Sequence, residues 1–223
     1  TYRKMVIPRS IKYNGPINVK MRLSTPLRTD VTGNLSFFIN CNSLSTMFFD
    51  GSTATPLLEV GAFTALYDLF RVNSISLRYI PTLSYGTQRF DDVPTSGVKP
   101  VIIGLMPTIG IAYDPDNKGQ ISYANMITRD RFKTRDPSRP WRFSTKVDRN
   151  VQGNTDAAVF HVLTGGWLNC QGESGNNRGV IACDTNQPFV TSDVNATDQQ
   201  AVPYLGDVGE LIVTAYVTFK TRQ

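Results

Sequence analysis

The chain has 223 residues, of which 40% are hydrophobic and 10% are aromatic, and its formal net charge is +5. These values are typical of a folded globular protein, exclude an intrinsically disordered one, and fit a single all-β domain. The sequence contains no apolar run near the roughly 20 residues that cross a bilayer. Residues 1–16 also lack the apolar stretch of a secretory signal.

The N-terminal part of the chain is basic throughout. Seven Lys or Arg side chains and no acidic one occur between Thr1 and Arg28. Residues 1–16 show no steady period and contain two prolines, which predicts an extended basic arm ahead of a domain comprising residues 17–223. No base-reading motif accompanies these charges, so we expect them to contact nucleic-acid phosphates without reading a sequence. The predicted phosphate-binding residues are Arg3, Lys4, Arg9, Lys12, Lys20 and Arg22.

Eight segments carry strand signals, either a period of two or a short run of β-branched and aromatic residues. The clearest is the last, in which apolar side chains from Leu211 to Phe219 alternate with a mixed set. Such a strand is central in an antiparallel sheet only if earlier strands flank it. The predicted strands are Ile17–Ser24, Asn34–Cys41, Val72–Ile80, Pro100–Tyr113, Trp141–Val147, Ala157–Thr164, Gly179–Asp184 and Glu210–Lys220.

The segments between these strands contain helical and loop signals. Apolar residues at helical spacing predict one short amphipathic helix over Val60–Phe70, and Gln120–Thr128 is interpreted as a helical turn. The residues of Asn42–Thr55 and Thr185–Gly206 are largely polar and show no period, so both are predicted to be loops. Gln171–Arg178 is rich in Gly and Asn, which indicates a hairpin turn.

The remaining charges are unevenly distributed along the chain. Arg129–Arg149 contains eight Lys or Arg residues and three Asp residues, whereas Asn150–Phe219 has one basic residue and seven acidic ones. Segregation of this kind indicates one surface that faces a polyanion and another that faces elsewhere. The alternative is that both basic blocks are solvated loops.

Catalytic chemistry is not indicated by the sequence. His161 is the single histidine and lies in an apolar alternation, and the sequence has neither a nucleophile elbow nor a phosphate-cradling glycine loop. We therefore assign no catalytic residue and no enzymatic activity. Cys41, Cys170 and Cys183 are too few and too scattered for a disulfide framework, so free thiols are expected, although Cys170 and Cys183 could pair across a hairpin.

One acidic cluster has the chemistry of a calcium ligand set. Asp114 and Asp116 flank Pro115, but Ca²⁺ takes about six to eight oxygen ligands, so the pair needs further oxygens from a subunit interface. The alternative is a solvated turn in which the Asp side chains bond to the neighbouring backbone. No cofactor is certain from the sequence, and calcium at Asp114 and Asp116 is the candidate.

Three segments resemble parts of a known family of proteins. GELIVTAYVTFK near the end of the chain, LYDLFRVNSISLRYIP in its first half and AYDPDN at Ala112–Asn117 resemble the single jelly-roll coats of small icosahedral viruses. The similar coats are those of tombusvirus-like plant viruses and of circular Rep-encoding single-stranded DNA viruses. The resemblance implies an all-β, eight-stranded antiparallel jelly roll of two packed sheets, with one or two short helices in loops. The chain departs from the tombusvirus coats in one respect, since no protruding domain is expected after the last strand.

The same resemblance implies a function. We expect a viral capsid protein whose copies self-assemble into an icosahedral shell around genomic nucleic acid, located in the virion and assembled in the host cytoplasm or nucleus. In such shells the N-terminal arm lines the interior, whereas the loops that connect strands reach subunit contacts or the exterior. The second basic block, Arg129–Arg149, is therefore expected at contacts between subunits. In the related coats, calcium is bound at such interfaces, which is the role implied for Asp114 and Asp116.

The alternative function is a soluble, lectin-like carbohydrate-binding jelly roll. It would stack sugar rings on an exposed Trp141 or Trp167. The acid-free basic segment at the N-terminus favours the shell subunit, because binding neutral sugars does not require it.

Overall fold

The computed structural model describes residues 15–51, 53–57, 59–82, 107–117, 119–148, 167–170, 179–192 and 201–221. These residues form mainly β-strands, with two short helices, α1 (Val60–Leu66) and α2 (Tyr123–Met126). The strands of the first half are β1 (Ile17–Arg28), β2 (Ser36–Asn40), β3 (Phe48–Asp50), β4 (Thr53–Thr55), β5 (Leu69–Pro81) and β6 (Ile109–Asp114). Those of the second half are β7 (Lys133–Arg135), β8 (Trp141–Lys146), β9 (Leu168–Asn169), β10 (Val180–Thr185), β11 (Val190–Ser192), β12 (Ala201–Pro203) and β13 (Asp207–Lys220).

The long C-terminal strand β13 is the centre of the first sheet, called sheet A. Its order is β1-β13-β5-β8, with β9 added on β5, and all the pairs are antiparallel. Ile17 pairs with Phe219 on one side of β13, and Phe70 pairs with Phe219 on the other. Two earlier strands, β1 and β5, therefore flank the last one, which meets the condition for a central C-terminal strand.

The second sheet, sheet B, has the order β4-β3-β2-β10-β6-β7 and is also antiparallel. Two four-stranded units, β1-β13-β5-β8 and β2-β10-β6-β7, make up most of the two sheets. Along the chain, each connection between consecutive members of these eight strands passes from one sheet to the other, except the one from β6 to β7. This alternation is the topology of a two-sheet jelly roll, as predicted.

The core lies between the two sheets. Alternate side chains of β13 are buried at 0–1% exposure from Leu211 to Phe219, and they meet the inward side chains of sheet B in one hydrophobic cluster. Helix α1 covers one end of this core, where the Phe63 ring stacks on Phe219 at 5.1 Å. The outer face of sheet B is covered by the α2 segment, since Met126 packs with Val180 and Ala182 in a smaller cluster. Among the described residues, neither helix is long and apolar enough to cross a membrane.

The predicted helix over Val60–Phe70 is too long. Helix α1 ends at Leu66, Tyr67 is extended, and Leu69 and Phe70 belong to β5. These two residues pair with Lys220 and Phe219 on β13 and also with β9. Strand partners on both sides satisfy the backbone there, so pairing overrides the helical spacing of the side chains.

A bulge in β5 corrects the alternation predicted for Val72–Ile80. A strict period of two places Val72 and Ile75 on opposite faces, but both are buried in the core. The register shifts here, because Val72 pairs with Val217 whereas Ser74 pairs with the adjacent Tyr216. Asn73 is thus an extra residue in β5, and a bulge of this kind returns the following side chains to the same face.

Both predicted loops contain short strands. Asn42–Thr55 includes β3 and β4, and Thr185–Gly206 includes β11 and β12, which pair with each other. Strand β7 was also not predicted, because its sequence, KTR, has no apolar residue. The predicted strand Ala157–Thr164, the turn Gln171–Arg178, residues 100–106 of the predicted strand Pro100–Tyr113 and most of the predicted basic arm lie outside the described residues. The helical turn predicted within Gln120–Thr128 is confirmed as α2.

Candidate nucleic-acid interface

The outer face of sheet A is basic. Strands β1, β5 and β8 each direct alternate side chains away from the core, and five of these outward side chains are exposed cations that form no ion pair with a described residue. Arg28, at the end of β1, is also exposed but pairs with Asp207. We call this surface the basic face, and its cations are Lys20, Arg22, Arg78, Arg142 and Lys146.

The strand register arranges the basic face in rows that cross all four strands. Strand pairing places successive outward residues of one strand about 7 Å apart and neighbouring strands about 5 Å apart. The first row has one cation on β1 and one on β8. The second row has one cation, on β1, and the third has two, on β5 and β8. The rows are Lys20–Tyr216–Ser74–Lys146, Arg22–Thr214–Ser76–Ser144 and Ser24–Ile212–Arg78–Arg142.

These cations are not neutralised by acidic partners. Within the part of the chain that the structure describes, the ion pairs are Arg28–Asp207, Arg129–Asp114 and Arg139–Asp136. None of them involves a cation of the basic face. The nearest acidic side chain in the strand register is Glu210, one row beyond Ser24 and hydrogen-bonded to it. The face therefore carries an unbalanced positive potential, which attracts polyanions.

Aromatic rings lie among the cations. The Lys20 amine lies 5.8 Å from the centroid of the Tyr216 ring, and Tyr216 is 42% exposed. At the end of the sheet next to β9, the Trp167 ring has the Lys220 amine at 4.2 Å and the Arg71 guanidinium at 4.8 Å. Cations interleaved with rings form the type of surface that binds phosphates and stacks unpaired bases.

The structure brings together only part of the predicted phosphate-binding set. Lys20 and Arg22 lie side by side on the outward face of β1, whereas Arg3, Lys4, Arg9 and Lys12 lie outside the described residues. Arg78, Arg142 and Lys146 were not included in that set. The strand alternation indicates them, because each occupies an outward position of a predicted strand. They lie far along the chain from Lys20 and Arg22, so position in the chain does not group them together.

The second basic block is divided between two surfaces. Arg142 and Lys146 belong to the basic face, together with Lys20 and Arg22 from the first block. Arg131 instead reaches the edge of sheet A, where it donates a hydrogen bond of 2.8 Å to Thr145 Oγ1. The fold thus divides the block between two surfaces, and its placement at subunit contacts stays a prediction.

Asp114 and Asp116 line a cleft of about 290 Å³ together with Asp130 and Asp148. Asp114 is 4% exposed, its Oδ2 pairs with the Arg129 guanidinium at 3.1 Å, and its Oδ1 accepts the Asp116 backbone N–H at 3.0 Å. Among the residues described here, no three His, Cys, Asp or Glu side chains are grouped closely enough to hold a metal ion. The calcium site at Asp114 and Asp116 stays a prediction that requires oxygens from a neighbouring subunit.

All three cysteines are described, and each is free and buried. The expectation of free thiols is confirmed, and Cys170 and Cys183 do not pair. Burial raises the pKa of Cys41 and Cys183 well above the ordinary value, because a thiolate loses its hydration in the core. These residues pack as small apolar groups.

No protein-family model and no curated protein matches the sequence. Solved structures do match the fold. The capsid of the giant freshwater prawn Macrobrachium rosenbergii nodavirus, in a semi-empty virus-like particle, has a TM-score of 0.51 at 12% identity, covering 94% of each chain. A Penaeus vannamei nodavirus capsid protein deletion mutant, in a T=1 subviral particle, has a TM-score of 0.53 at 10% identity, covering 93% of this chain and 98% of that one.

The fold is a jelly roll, similar to that of these two capsid structures. The Mud crab tombus-like virus structure matches 94% of this chain and 83% of its own, with a TM-score of 0.46 at 11% identity. The strand order of the two sheets and the two nodavirus capsid structures confirm the all-β jelly roll predicted from the resemblance to viral coats. Because sequence identity is so low, the likeness lies in the strand order and the two packed sheets and does not extend to individual side chains.

Proposed function

We propose that this chain is a capsid protein whose copies self-assemble into an icosahedral shell around nucleic acid. The observation that carries the proposal is the likeness to the two nodavirus capsid structures, which spans more than nine-tenths of this chain and of each of those two chains. Those two proteins were solved as a virus-like particle and as a T=1 subviral particle. The proposal gives the chain a structural role, located in the virion and assembled in the host cytoplasm or nucleus.

The basic face supports contact with the enclosed nucleic acid. Phosphates are bound by Lys and Arg side chains that have no competing carboxylate, and Lys20 and Arg22 meet that condition on the outward face of β1. The face carries no arrangement suited to reading base edges in a groove. We therefore assign contact with phosphates irrespective of sequence, with Arg3, Lys4, Arg9 and Lys12 contributing from the N-terminal arm.

The lectin-like alternative finds less support in the positions of the tryptophans. Trp141 is 7% exposed and stacks on the buried Tyr79 at 5.2 Å, so it cannot receive a sugar ring. Trp167 is half-buried and already contacts two cations, Arg71 and Lys220. A neutral sugar would compete with both contacts.

Particle size tests the proposal directly. The purified full chain is sedimented through a sucrose gradient, and the fractions are examined by negative-stain electron microscopy. We expect closed particles of megadalton mass. A chain that stays a monomer or a small oligomer under all assembly conditions, while binding a glycan array, would contradict the capsid role and favour the lectin.

Salt dependence tests the phosphate contacts. The logarithm of the affinity for single-stranded nucleic acid falls with the logarithm of salt concentration by roughly 0.7 for each phosphate neutralised. Lys20→Ala and Arg22→Ala should each flatten this slope by about that amount. Arg139→Ala is the matched control, because this exposed Arg pairs with Asp136 away from the basic face. Equal slopes in all four proteins would show that β1 does not contact phosphates.

A further inference from the structure

The basic face contains a hollow of about 260 Å³ between β13, β5 and β8. The small side chains of Ser74, Ser76 and Ser144 line its floor, and the long side chains of Lys146 and Tyr216 stand beside it. The register explains this shape, since the serines occupy the middle of the first two rows and are flanked by larger residues. A hollow in an otherwise closely paired sheet therefore results from side-chain size alone.

The lining of the hollow suits a phosphate group. Ser144 Oγ donates to Ser76 Oγ at 2.9 Å, so the Ser76 hydroxyl keeps its own proton for a further acceptor. Hydroxyls donate hydrogen bonds to phosphate oxygens, and the Lys146 amine adds a positive charge at the rim. Among the described residues no acidic side chain lines the hollow, so none competes with a phosphate for the Ser76 hydroxyl or the Lys146 amine.

The wall of the hollow suits a nucleobase. Tyr216 pairs with Lys20 on one side and with Ser74 on the other, so its ring separates the Lys20 amine from the hollow. The ring is 42% exposed, which leaves surface for stacking. An aromatic ring beside a phosphate-binding group is the arrangement with which proteins hold nucleotides of a single strand.

We propose that this hollow binds one nucleotide of a single-stranded nucleic acid, with the base stacked on Tyr216 and the phosphate held by Lys146 and the serine hydroxyls. The inference rests on the proposed capsid function and adds the strandedness of the ligand and the residues that contact it. A duplex does not fit this role, because its bases are already stacked on each other and are not free to meet the ring.

Two probes with the same charge separate stacking from phosphate binding. One is a short fluorescent oligothymidylate, and the other is the same length of strand with abasic sites, which keeps the phosphates and lacks the bases. Fluorescence anisotropy measures the affinity of the dissociated full chain for each probe. Stacking of one base should make the oligothymidylate bind roughly 5-fold to 150-fold more tightly than the abasic strand.

Three variants test the residues. Tyr216→Leu should abolish the preference for the strand with bases, and Tyr216→Phe should retain it, because phenylalanine keeps the ring. Ser144→Leu fills the hollow without changing the charge and should weaken binding of the oligothymidylate to the level of the abasic strand. Arg139→Ala, outside the basic face, should leave both affinities unchanged and serves as the control.

Parallel electron microscopy of the same proteins distinguishes the two proposals. Wild-type particles combined with an unchanged preference in Tyr216→Leu and Ser144→Leu would overturn the nucleotide site and leave the capsid function standing. Loss of particles in these variants, with wild-type affinity for both probes, would also overturn it and identify the face as a contact between copies. Failure of the wild-type chain to form particles contradicts the capsid function itself, whatever the affinities.

Discussion

The side chain of Phe219 is the best single test of the fold, because it lies where the last strand meets the core. It is 0% exposed, and its ring lies 5.1 Å from that of Phe63, 5.7 Å from that of Tyr67 and 6.5 Å from that of Phe70. The backbone of Phe219 is also paired on both sides, with Ile17 and with Phe70. Phe219→Ala therefore leaves a cavity that backbone movement cannot easily close.

The expected cost follows from burial. Truncating a fully buried Phe to Ala removes roughly 3–5 kcal/mol of stability, because the lost transfer free energy adds to the cavity term. The whole free energy of unfolding of a domain is about 5–15 kcal/mol, so the variant loses a large part of it. Phe219→Leu keeps most of the apolar volume and loses the ring contacts, so it should cost about 1–2 kcal/mol.

Urea unfolding followed by tryptophan fluorescence measures these costs. With a slope of about 2–3 kcal/mol per molar urea, Phe219→Ala should lower the midpoint by roughly 1–2 M and yield unassembled or insoluble protein at low urea. Leu66→Ala is the control, since Leu66 is 70% exposed on the neighbouring helix α1 and its loss should change stability by less than about 0.5 kcal/mol. Normal particles and a wild-type midpoint in both Phe219 variants would refute the placement of β13 in the core.

Three further predictions concern other sites. Gly209→Ala should destabilise the fold by roughly 1–3 kcal/mol in the same urea assay, because a Cβ there would overlap the ring of Tyr79, whereas Gly61→Ala, with open space around it, should not. The buried Cys41 thiol should react with a thiol reagent only after unfolding, and rapid reaction of intact particles would contradict its burial. The Ser138 hydroxyl donates a hydrogen bond to Asp136 and lowers the pKa of that carboxyl group. The ionised carboxylate therefore stabilises the fold above its ordinary pKa, and this stability is lost as pH falls through the lowered pKa. Ser138→Ala should raise the pKa of Asp136 in an NMR titration.

The sequence alone predicts strand β13, because burial of one face of a strand gives its apolar residues a period of two. Every apolar residue assigned to the inner face from Leu211 to Phe219 is buried, and the predicted strands at β1, β2, β8 and β10 lie where the sequence places them. The helical spacing around Val60 likewise identifies α1, although it extends the helix too far. Patterns of burial are local, and a local reading of the chain recovers them.

The exceptions have a common physical cause, which is pairing between distant residues. Leu69 and Phe70 become a strand because β13 and β9 offer partners, and the bulge at Asn73 changes which residues share a face. Neither the partners nor the register is encoded in the spacing of the affected residues. The short strand β7 forms for the same reason, since it pairs with β6.

The sequence by itself determined the all-β class, the central last strand, the free cysteines and the excess of positive charge. Only the tertiary structure decided which charges share a surface, because Lys20 and Lys146 are separated along the chain by most of the domain and meet in one row through Tyr216 and Ser74. The hollow on the basic face likewise exists only after three strands are aligned, since its depth depends on small side chains of β5 and β8 that lie next to each other. Charge and burial are properties of residues, whereas a binding surface is a property of their register.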